Sequence, residues 1–229
     1  MMPYNSHVRD IMAHADPHAE LHAELRALPH LHMLMATPIA MPMAMPSLVP
    51  RYTLRDLDRF PNDGNRYELL DGFLLVTPAP HSPHQILQSM LVRELTFYFG
   101  RRPSVYVLTP GAVEVAPGTH LEPDVLVIPN TGKPPESWLA VRDWWLAIEI
   151  SGRGSRVYDR DFKGPAYLRA GVRAYWRIDL RDRCVYVSTS AEPFEVRHET
   201  PVSWSPPDSI AEPLVVDIPA LFEGIEGDD

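Results

Sequence analysis

Two carboxylates lie in or beside apolar runs of the sequence, and a lysine follows them. Asp124 precedes the apolar run 125–128, and Glu149 lies near the end of the apolar run 144–150. Such a carboxylate is costly to bury unless it binds a cation or pairs with another group. Lys163 follows, and it is one of only two lysines in a chain that otherwise uses arginine. We therefore interpret these residues as a metal-dependent site for phosphodiester hydrolysis.

This reaction needs an activated water and stabilisation of the charge that develops on the phosphoryl oxygens. Mg²⁺ (or Mn²⁺) held by oxygen ligands supplies both. Because Mg²⁺ keeps several waters, one or two carboxylates and a backbone carbonyl suffice as protein ligands. We expect Asp124, Glu149 and the backbone carbonyl of Ile150 to bind the metal. Lys163 would orient the nucleophile or stabilise the phosphate charge.

Each of these residues also has a purely structural explanation. Asp124 could cap a strand at a turn, and Glu149 could pair with an arginine. Lys163 could pair with Asp159, four residues earlier, for a few tenths of a kcal/mol on a helix surface. The catalytic interpretation therefore depends on the three groups occurring together.

The apolar periodicity predicts an α/β (α+β) fold with a mixed central sheet flanked by helices and added antiparallel hairpins. Thr53 would cap a short helix, Asp71-Gly72 would turn a hairpin that contains Glu68, and Ser82 would cap a long helix that ends at Gly100. The run 144–150 reads as a central strand buried on both faces. Helices are predicted at 54–60, 83–99, 161–170 and 219–222, and strands at 66–70, 73–77, 105–108, 112–115, 124–128, 144–150, 174–179, 184–188 and 214–218.

Three regions differ in composition. Residues 1–50 hold six of the ten histidines and most of the methionines, and we expect a poorly ordered extension with one short helix at 18–28. His18 and His22 would lie on one face of that helix, a spacing that can bind a transition metal. Residues 51–223 form the predicted catalytic domain, and 224–229 form an acidic tail.

Charge and cysteine content narrow the class of protein. The net charge is −9, yet residues 192–229 alone carry ten acids against one arginine. Within 153–183, nine basic residues face four acids, which forms either a phosphate-binding patch or a solvated surface. Cys184 is the only cysteine, which suits a reducing cytoplasm. No apolar run approaches the roughly 20 residues of a membrane-spanning helix, so we expect a cytoplasmic protein.

Several sequence blocks, in this order and spacing, resemble the Uma family of "putative restriction endonucleases", a branch of the PD-(D/E)xK nuclease superfamily. The likeness covers about residues 52–223. The blocks are 67–72 (YELLDG), 78–85 (PAPHSPHQ), 122–127 (EPDVLV), 147–151 (AIEIS), 159–163 (DRDFK), 167–179 (YLRAGVRAYWRID) and 214–222 (LVVDIPALF).

The resemblance implies that Glu68, Asp124 and Glu149 are the acidic site residues and that Lys163 is the site lysine. Four further side chains would support them, namely His84, Ser151, Asp159 and Tyr167. Two departures stand out. The superfamily's usual lysine position, two residues after the glutamate, holds Ser151, and residues 152–155 (GRGS) replace the family's usual Ser-Pro-Ser/Thr.

These observations favour a Mg²⁺-dependent endonuclease acting on DNA, for which a homodimer would suit double-strand cleavage. The alternative is a catalytically inactive nuclease-fold module for binding or assembly. A serine hydrolase is disfavoured, because residues 152–155 do not form the Gly-x-Ser-x-Gly nucleophile elbow. A histidine-rich metal-binding protein would depend on residues 1–50 alone.

Overall fold

The structure, a computed structural model, describes residues 52–100, 105–208 and 212–225. The predicted helix at 18–28, the N-terminal histidines and most of the acidic tail lie outside these ranges. Three helices are described, α1 (Ser82–Phe99), the continuous segment α2 (Arg156–Tyr158, Asp159–Lys163 and Gly164–Ala170) and α3 (Ile218–Leu221), together with 3-10 turns at Leu54–Arg59 and Trp138–Ala140. The strands are β1 (Arg66–Leu70), β2 (Phe73–Thr77), β3 (Val105–Leu108), β4 (Val113–Val115), β5 (Thr119–Leu121), β6 (Val125–Pro129), β7 (Leu146–Ser151), β8 (Ala174–Asp179), β9 (Cys184–Thr189), β10 (Val196–His198), β11 (Val202–Trp204) and β12 (Leu214–Val216).

A six-stranded mixed sheet with the order β10-β9-β8-β7-β6-β3 lies at the centre of the fold. Only β7 and β8 run parallel, and α2 provides the crossover between them. A four-stranded sheet, β2-β1-β5-β4, and the pair β11-β12 are antiparallel. This arrangement confirms the predicted fold class.

Strand β7 is buried at every position, as the continuous apolar run predicted. Its side chains alternate between two cores because successive strand residues point to opposite faces. Leu146, Ile148 and Ile150 pack in the core that contains the inner face of α1. Ala147 packs in the second core, with Tyr167 of α2 and residues of the small sheet. Glu149 therefore points to the same side as α2.

The hairpin β1–β2 was predicted correctly. Asp71 and Gly72 both adopt positive φ, 50° and 81°, as a tight two-residue turn requires. This turn fixes the register in which Glu68 lies opposite Leu75. Glu68 is consequently held inside the small sheet, where it is fully buried.

The two long helices begin at different residues from those predicted. His81 occupies the N-cap position of helix α1 without a side-chain cap hydrogen bond, and Ser82 is the first helical residue, so the predicted Ser82 cap is wrong. Segment α2 begins at Arg156 instead of residue 161. Gly164 donates its amide to the Asp159 carbonyl through a π-helical turn, and Pro165 then falls in the first turn of the α-helix that follows, where proline is tolerated.

Three short strands were not predicted, β5, β10 and β11. The turn at Pro117-Gly118 therefore joins β4 to β5 instead of leading directly to β6. The predicted strand near the C-terminus is β12, which pairs with β11 in its own small sheet. Within the described ranges, no helix has the length and apolar character needed to cross a membrane.

His120 joins the small sheet to the loop that leads to β6. Its Nδ1 lies 2.8 Å from Glu114 Oε1 and its Nε2 lies 3.0 Å from Glu122 Oε1. Burial would lower the pKa of His120, but the hydrogen bonds with Glu122 and Glu114 raise it overall. A raised histidine pKa stabilises the fold below the unfolded value of about 6.5 and loses this effect as pH rises through the folded value.

We predict that the stability advantage of wild type over His120→Gln decreases as the pH rises from about 6.5 through the raised folded pKa. Urea unfolding at a series of pH values measures this difference. His198→Gln is the control for loss of a histidine outside this pair of carboxylates. Parallel pH profiles for wild type and His120→Gln would contradict the prediction.

Candidate active site

Glu149 meets two side chains from α2, on the face of β7 that α2 covers. Lys163 Nζ lies 3.2 Å from Glu149 Oε1, and Tyr167 Oη donates to the same oxygen at 2.7 Å. Lys163 and Tyr167 are four residues apart and therefore share one face of the helix. Burial, and then the charge of Glu149, raise the pKa of Tyr167 well above its usual value, so that the phenol remains a hydrogen-bond donor.

Lys163 Nζ lies among three carboxylates. It is 2.6 Å from Glu68 Oε2, 3.2 Å from Glu149 Oε1 and 3.8 Å from Asp159 Oδ1. Burial would lower the pKa of the lysine, but the three carboxylates raise it overall. Lys163 is therefore a fixed positive charge in this site and does not act as a proton acceptor.

Asp124 is held by donors from three different elements. Its Oδ1 accepts from Arg66 Nη1 at 3.0 Å, and its Oδ2 lies 2.9 Å from His84 Nε2 and 2.8 Å from the Ile150 amide nitrogen. Burial alone would raise the pKa of Asp124. The hydrogen bond and charge of His84, followed by the charge of Arg66, hold this pKa below its usual value.

Arg66 is a site residue that the sequence interpretation missed. Besides Asp124, its Nη1 donates to the Glu122 carbonyl at 3.0 Å. The arginine directly precedes Tyr67-Glu68 on β1, and two-residue alternation puts it on the same side of that strand as Glu68. This two-residue spacing from Glu68 could have identified Arg66 as a site residue from the sequence.

Asp159 contacts the Lys163 ammonium, and Ser151 holds the Asp159 carboxylate in place. Ser151 Oγ donates to Asp159 Oδ2 at 2.8 Å, and Tyr175 Oη donates to the Asp159 backbone carbonyl at 2.9 Å. Burial raises the pKa of Asp159, which the Lys163 ammonium only partly offsets. The predicted pairing of Asp159 with Lys163 is present, but as a buried contact and not on a solvated helix surface.

A cavity of about 350 Å³ opens onto these groups. Among the predicted residues, those that line it are His84, Asp124, Glu149, Ile150, Asp159 and Lys163. Residues 78–81 form one wall, and residues 152–155, which depart from the family pattern, form another. The three other predicted residues, Glu68, Ser151 and Tyr167, are buried behind this lining and contact it.

Negative charge exceeds positive charge among the buried side chains at the cavity. Four buried carboxylates, from Glu68, Asp124, Glu149 and Asp159, surround the buried Lys163 and the partly exposed Arg66, and Arg153 lies on the exposed wall of the cavity. Burial raises the pKa of Glu149 well above its usual value; Lys163 opposes this shift, and the other three carboxylates add to it. A divalent cation bound here would compensate buried negative charge and favour the ionised form of Glu149.

The donor atoms fit such a cation. A carboxylate offers about four acceptor positions, and Asp124 uses three of them, one on Oδ1 and two on Oδ2. Both bonds to Glu149 fall on Oε1. Across the described residues, no group of three or more histidine, cysteine or acidic side chains is arranged to hold a metal, so water or substrate oxygens would have to complete the coordination.

The basic segment 153–183 is largely neutralised in the folded protein. Its arginines form ion pairs with acids, and three of these acids lie outside the segment, namely Asp71, Asp143 and Glu195. The ion pairs are Arg156 with Asp179 and Asp182, Arg160 with Asp161, Arg169 with Asp71, Arg173 with Asp143, and Arg177 with Asp179 and Glu195. The local positive excess seen in the sequence is therefore a poor measure of the charge available to a phosphate backbone.

Comparison with known proteins agrees with the fold described above. The Uma2 family model, described as "Putative restriction endonuclease", matches residues 54–218. A crystal structure described as that of "a putative nuclease belonging to DUF820 from Anabaena variabilis ATCC 29413" has a similar fold, with a TM-score of 0.61 and 20% sequence identity. The match covers 75% of this chain and 97% of that one. No curated protein matches the chain. The family match supports a nuclease-like function, and the chain belongs to the Uma2 family.

Proposed function

We propose that this protein is an endonuclease that hydrolyses phosphodiester bonds in DNA with the aid of Mg²⁺ or Mn²⁺. The observation that carries the proposal is the excess of buried negative charge at a cavity large enough to admit part of a nucleotide. Burying carboxylates without compensation is unfavourable, and such an excess persists where a cation or a reaction requires it. The match to a family described as "Putative restriction endonuclease" supports a nuclease function for this negatively charged site.

Asp124, Glu149 and the backbone carbonyl of Ile150 would hold the metal. A bound Mg²⁺ or Mn²⁺ lowers the pKa of a coordinated water and stabilises negative charge on a phosphoryl oxygen. The two carboxylates are pre-oriented for this role. Arg66 and His84 fix Asp124, and Tyr167 and Lys163 fix Glu149 through its Oε1.

Lys163 lines the cavity as a permanent cation, so it would stabilise the phosphate charge and orient the nucleophile. Glu68, one of the acidic site residues that the resemblance implies, lies behind the ammonium and outside the cavity lining. We assign it the role of positioning Lys163. Asp159, held by Ser151, supports the same ammonium on another side.

The second candidate is an inactive nuclease-fold module for binding or assembly. One observation favours it: Asp124 already accepts three hydrogen bonds from protein groups, which compete with metal coordination. Cleavage and metal binding distinguish the two candidates, because a binding module needs neither.

The first test is cleavage of supercoiled plasmid and single-stranded DNA by the full-length protein with Mg²⁺ or Mn²⁺. We expect Asp124→Asn, Glu149→Gln and Lys163→Met each to lose at least about 100-fold in rate, since each removes a group that binds the metal or stabilises the transition state. EDTA should abolish wild-type cleavage.

Two variants provide matched controls. Lys133→Met removes the only other lysine, in an exposed loop, and Asp161→Asn removes an exposed carboxylate of α2. Both should cleave like wild type. Equal cleavage by wild type and the three site variants would contradict the assignment, because the activity would then come from a contaminating nuclease and not from this site.

The second test measures metal binding through stability. A ligand that binds only the folded state raises its stability, by about 2.7 kcal/mol at 100 times the Kd. We expect Mg²⁺ and Mn²⁺ to raise the melting temperature of wild type and of Asp161→Asn, and to have no effect on Glu149→Gln. An equal shift in all three proteins would place the metal elsewhere.

A further inference from the structure

Segment α2 presents two exposed aromatic rings, each on the residue that precedes a cavity-lining residue. The side chains of Tyr158 and Phe162 are each 49% exposed, and their ring centroids lie 5.7 Å apart. Val157, on the same turn, is 54% exposed. Large apolar side chains exposed next to one another mark a site of contact with another molecule more often than scattered ones do.

The position of these rings relative to the cavity follows from helical spacing. Ser155, Asp159 and Lys163 line the cavity at intervals of four residues. Tyr158 and Phe162 precede two of these residues by one position, which is about 100° around a helix. The aromatic pair therefore borders the cavity-lining stripe, on the segment that carries the site lysine.

The charges around this surface do not favour a duplex backbone. A protein binds duplex DNA mainly through basic side chains that neutralise phosphates. Here Arg156 and Arg160, the basic residues of this part of α2, already form ion pairs with Asp182 and Asp161. Aromatic rings bind nucleic acid differently, because each base can stack on them whatever its sequence.

We propose that Tyr158 and Phe162 form a stacking platform for unpaired bases, and that the preferred substrate carries a single-stranded segment at the scissile phosphate. The choice of substrate rests on the nuclease function proposed above, whereas the platform itself is a binding site. A strand whose bases stack on these two rings would pass its backbone beside the neighbouring stripe that contains Asp159 and Lys163.

The test is binding of a labelled single-stranded oligonucleotide, and of the duplex of the same sequence, to the full-length protein in EDTA, followed by fluorescence anisotropy. The variant Tyr158→Leu/Phe162→Leu keeps apolar side chains and removes both rings. The matched control is Phe97→Leu, an aromatic residue that is 86% exposed near the far end of α1.

We expect wild type and Phe97→Leu to bind the single strand more tightly than the duplex. The double variant should lose about tenfold in single-strand affinity and nothing in duplex affinity. Single-strand affinity equal to that of wild type, or a wild-type preference for duplex, would overturn the proposal. Sedimentation velocity on the same samples tests whether this surface instead binds a second copy of the chain. If wild type is a dimer that dissociates in the double variant, and single-strand affinity is unchanged, the surface is a contact between copies.

Cleavage assays keep this inference separate from the nuclease function. Loss of single-strand affinity in the double variant, in a protein that cleaves nothing with Mg²⁺ or Mn²⁺, would support the platform and contradict the nuclease mechanism. Cleavage that needs Glu149, with single-strand binding unaffected by the double variant, would support the mechanism and overturn the platform.

Discussion

The contact of one ammonium with three buried carboxylates is the constraint on which the site depends. Lys163 brings together Glu68 from β1, Glu149 from β7 and Asp159 from its own helix. Removing one partner from a buried ion pair costs on the order of 3–5 kcal/mol, because the other charge is left uncompensated. The small sheet, the central sheet and α2 must therefore assemble together for any of these charges to be tolerated.

The central strand β7 meets this constraint through its alternation. Ile148 and Ile150 pack toward α1, and Glu149 between them points toward α2. The same strand also supplies the Ile150 amide to Asp124. One buried strand thus positions both candidate metal ligands, while its apolar side chains anchor them in the core. Asp124 and Glu149 differ in the direction of their pKa shifts, because burial and the neighbouring carboxylates dominate at Glu149, whereas His84 and Arg66 outweigh burial at Asp124.

The sequence predicted the main helices and strands where the hydrophobic pattern extends over several residues or a turn has characteristic residues. The continuous apolar run of β7 and the Asp71-Gly72 turn of the first hairpin were interpreted correctly, because burial on both faces and tight turns leave clear signals. Among the strands of three residues, β4 and β12 were predicted as parts of longer apolar segments, whereas β5, β10 and β11 were missed because so short a segment barely shows a period of two. The early start of α2 was missed because a π-helical turn before Pro165 has no comparable signal in a single sequence.

The candidate site was predicted less completely than the fold. The acidic residues and Lys163 lie together as expected, yet Arg66 was overlooked because its partners Glu122 and Asp124 are more than 50 residues away in sequence. The charge count over 153–183 was misleading, because it could not show that Arg169 and Arg173 pair with acids from other segments of the chain. Local composition records which charges exist, and only the fold determines which of them remain available.

Anomalous diffraction from crystals of the full-length protein soaked in Mn²⁺ would show whether a divalent cation binds between Asp124 and Glu149. We expect an anomalous peak about 2.1 Å from Asp124 Oδ1 and a Glu149 oxygen, absent from crystals of Glu149→Gln. Peaks only elsewhere, with Lys163 still the sole cation at Glu149, would contradict this expectation.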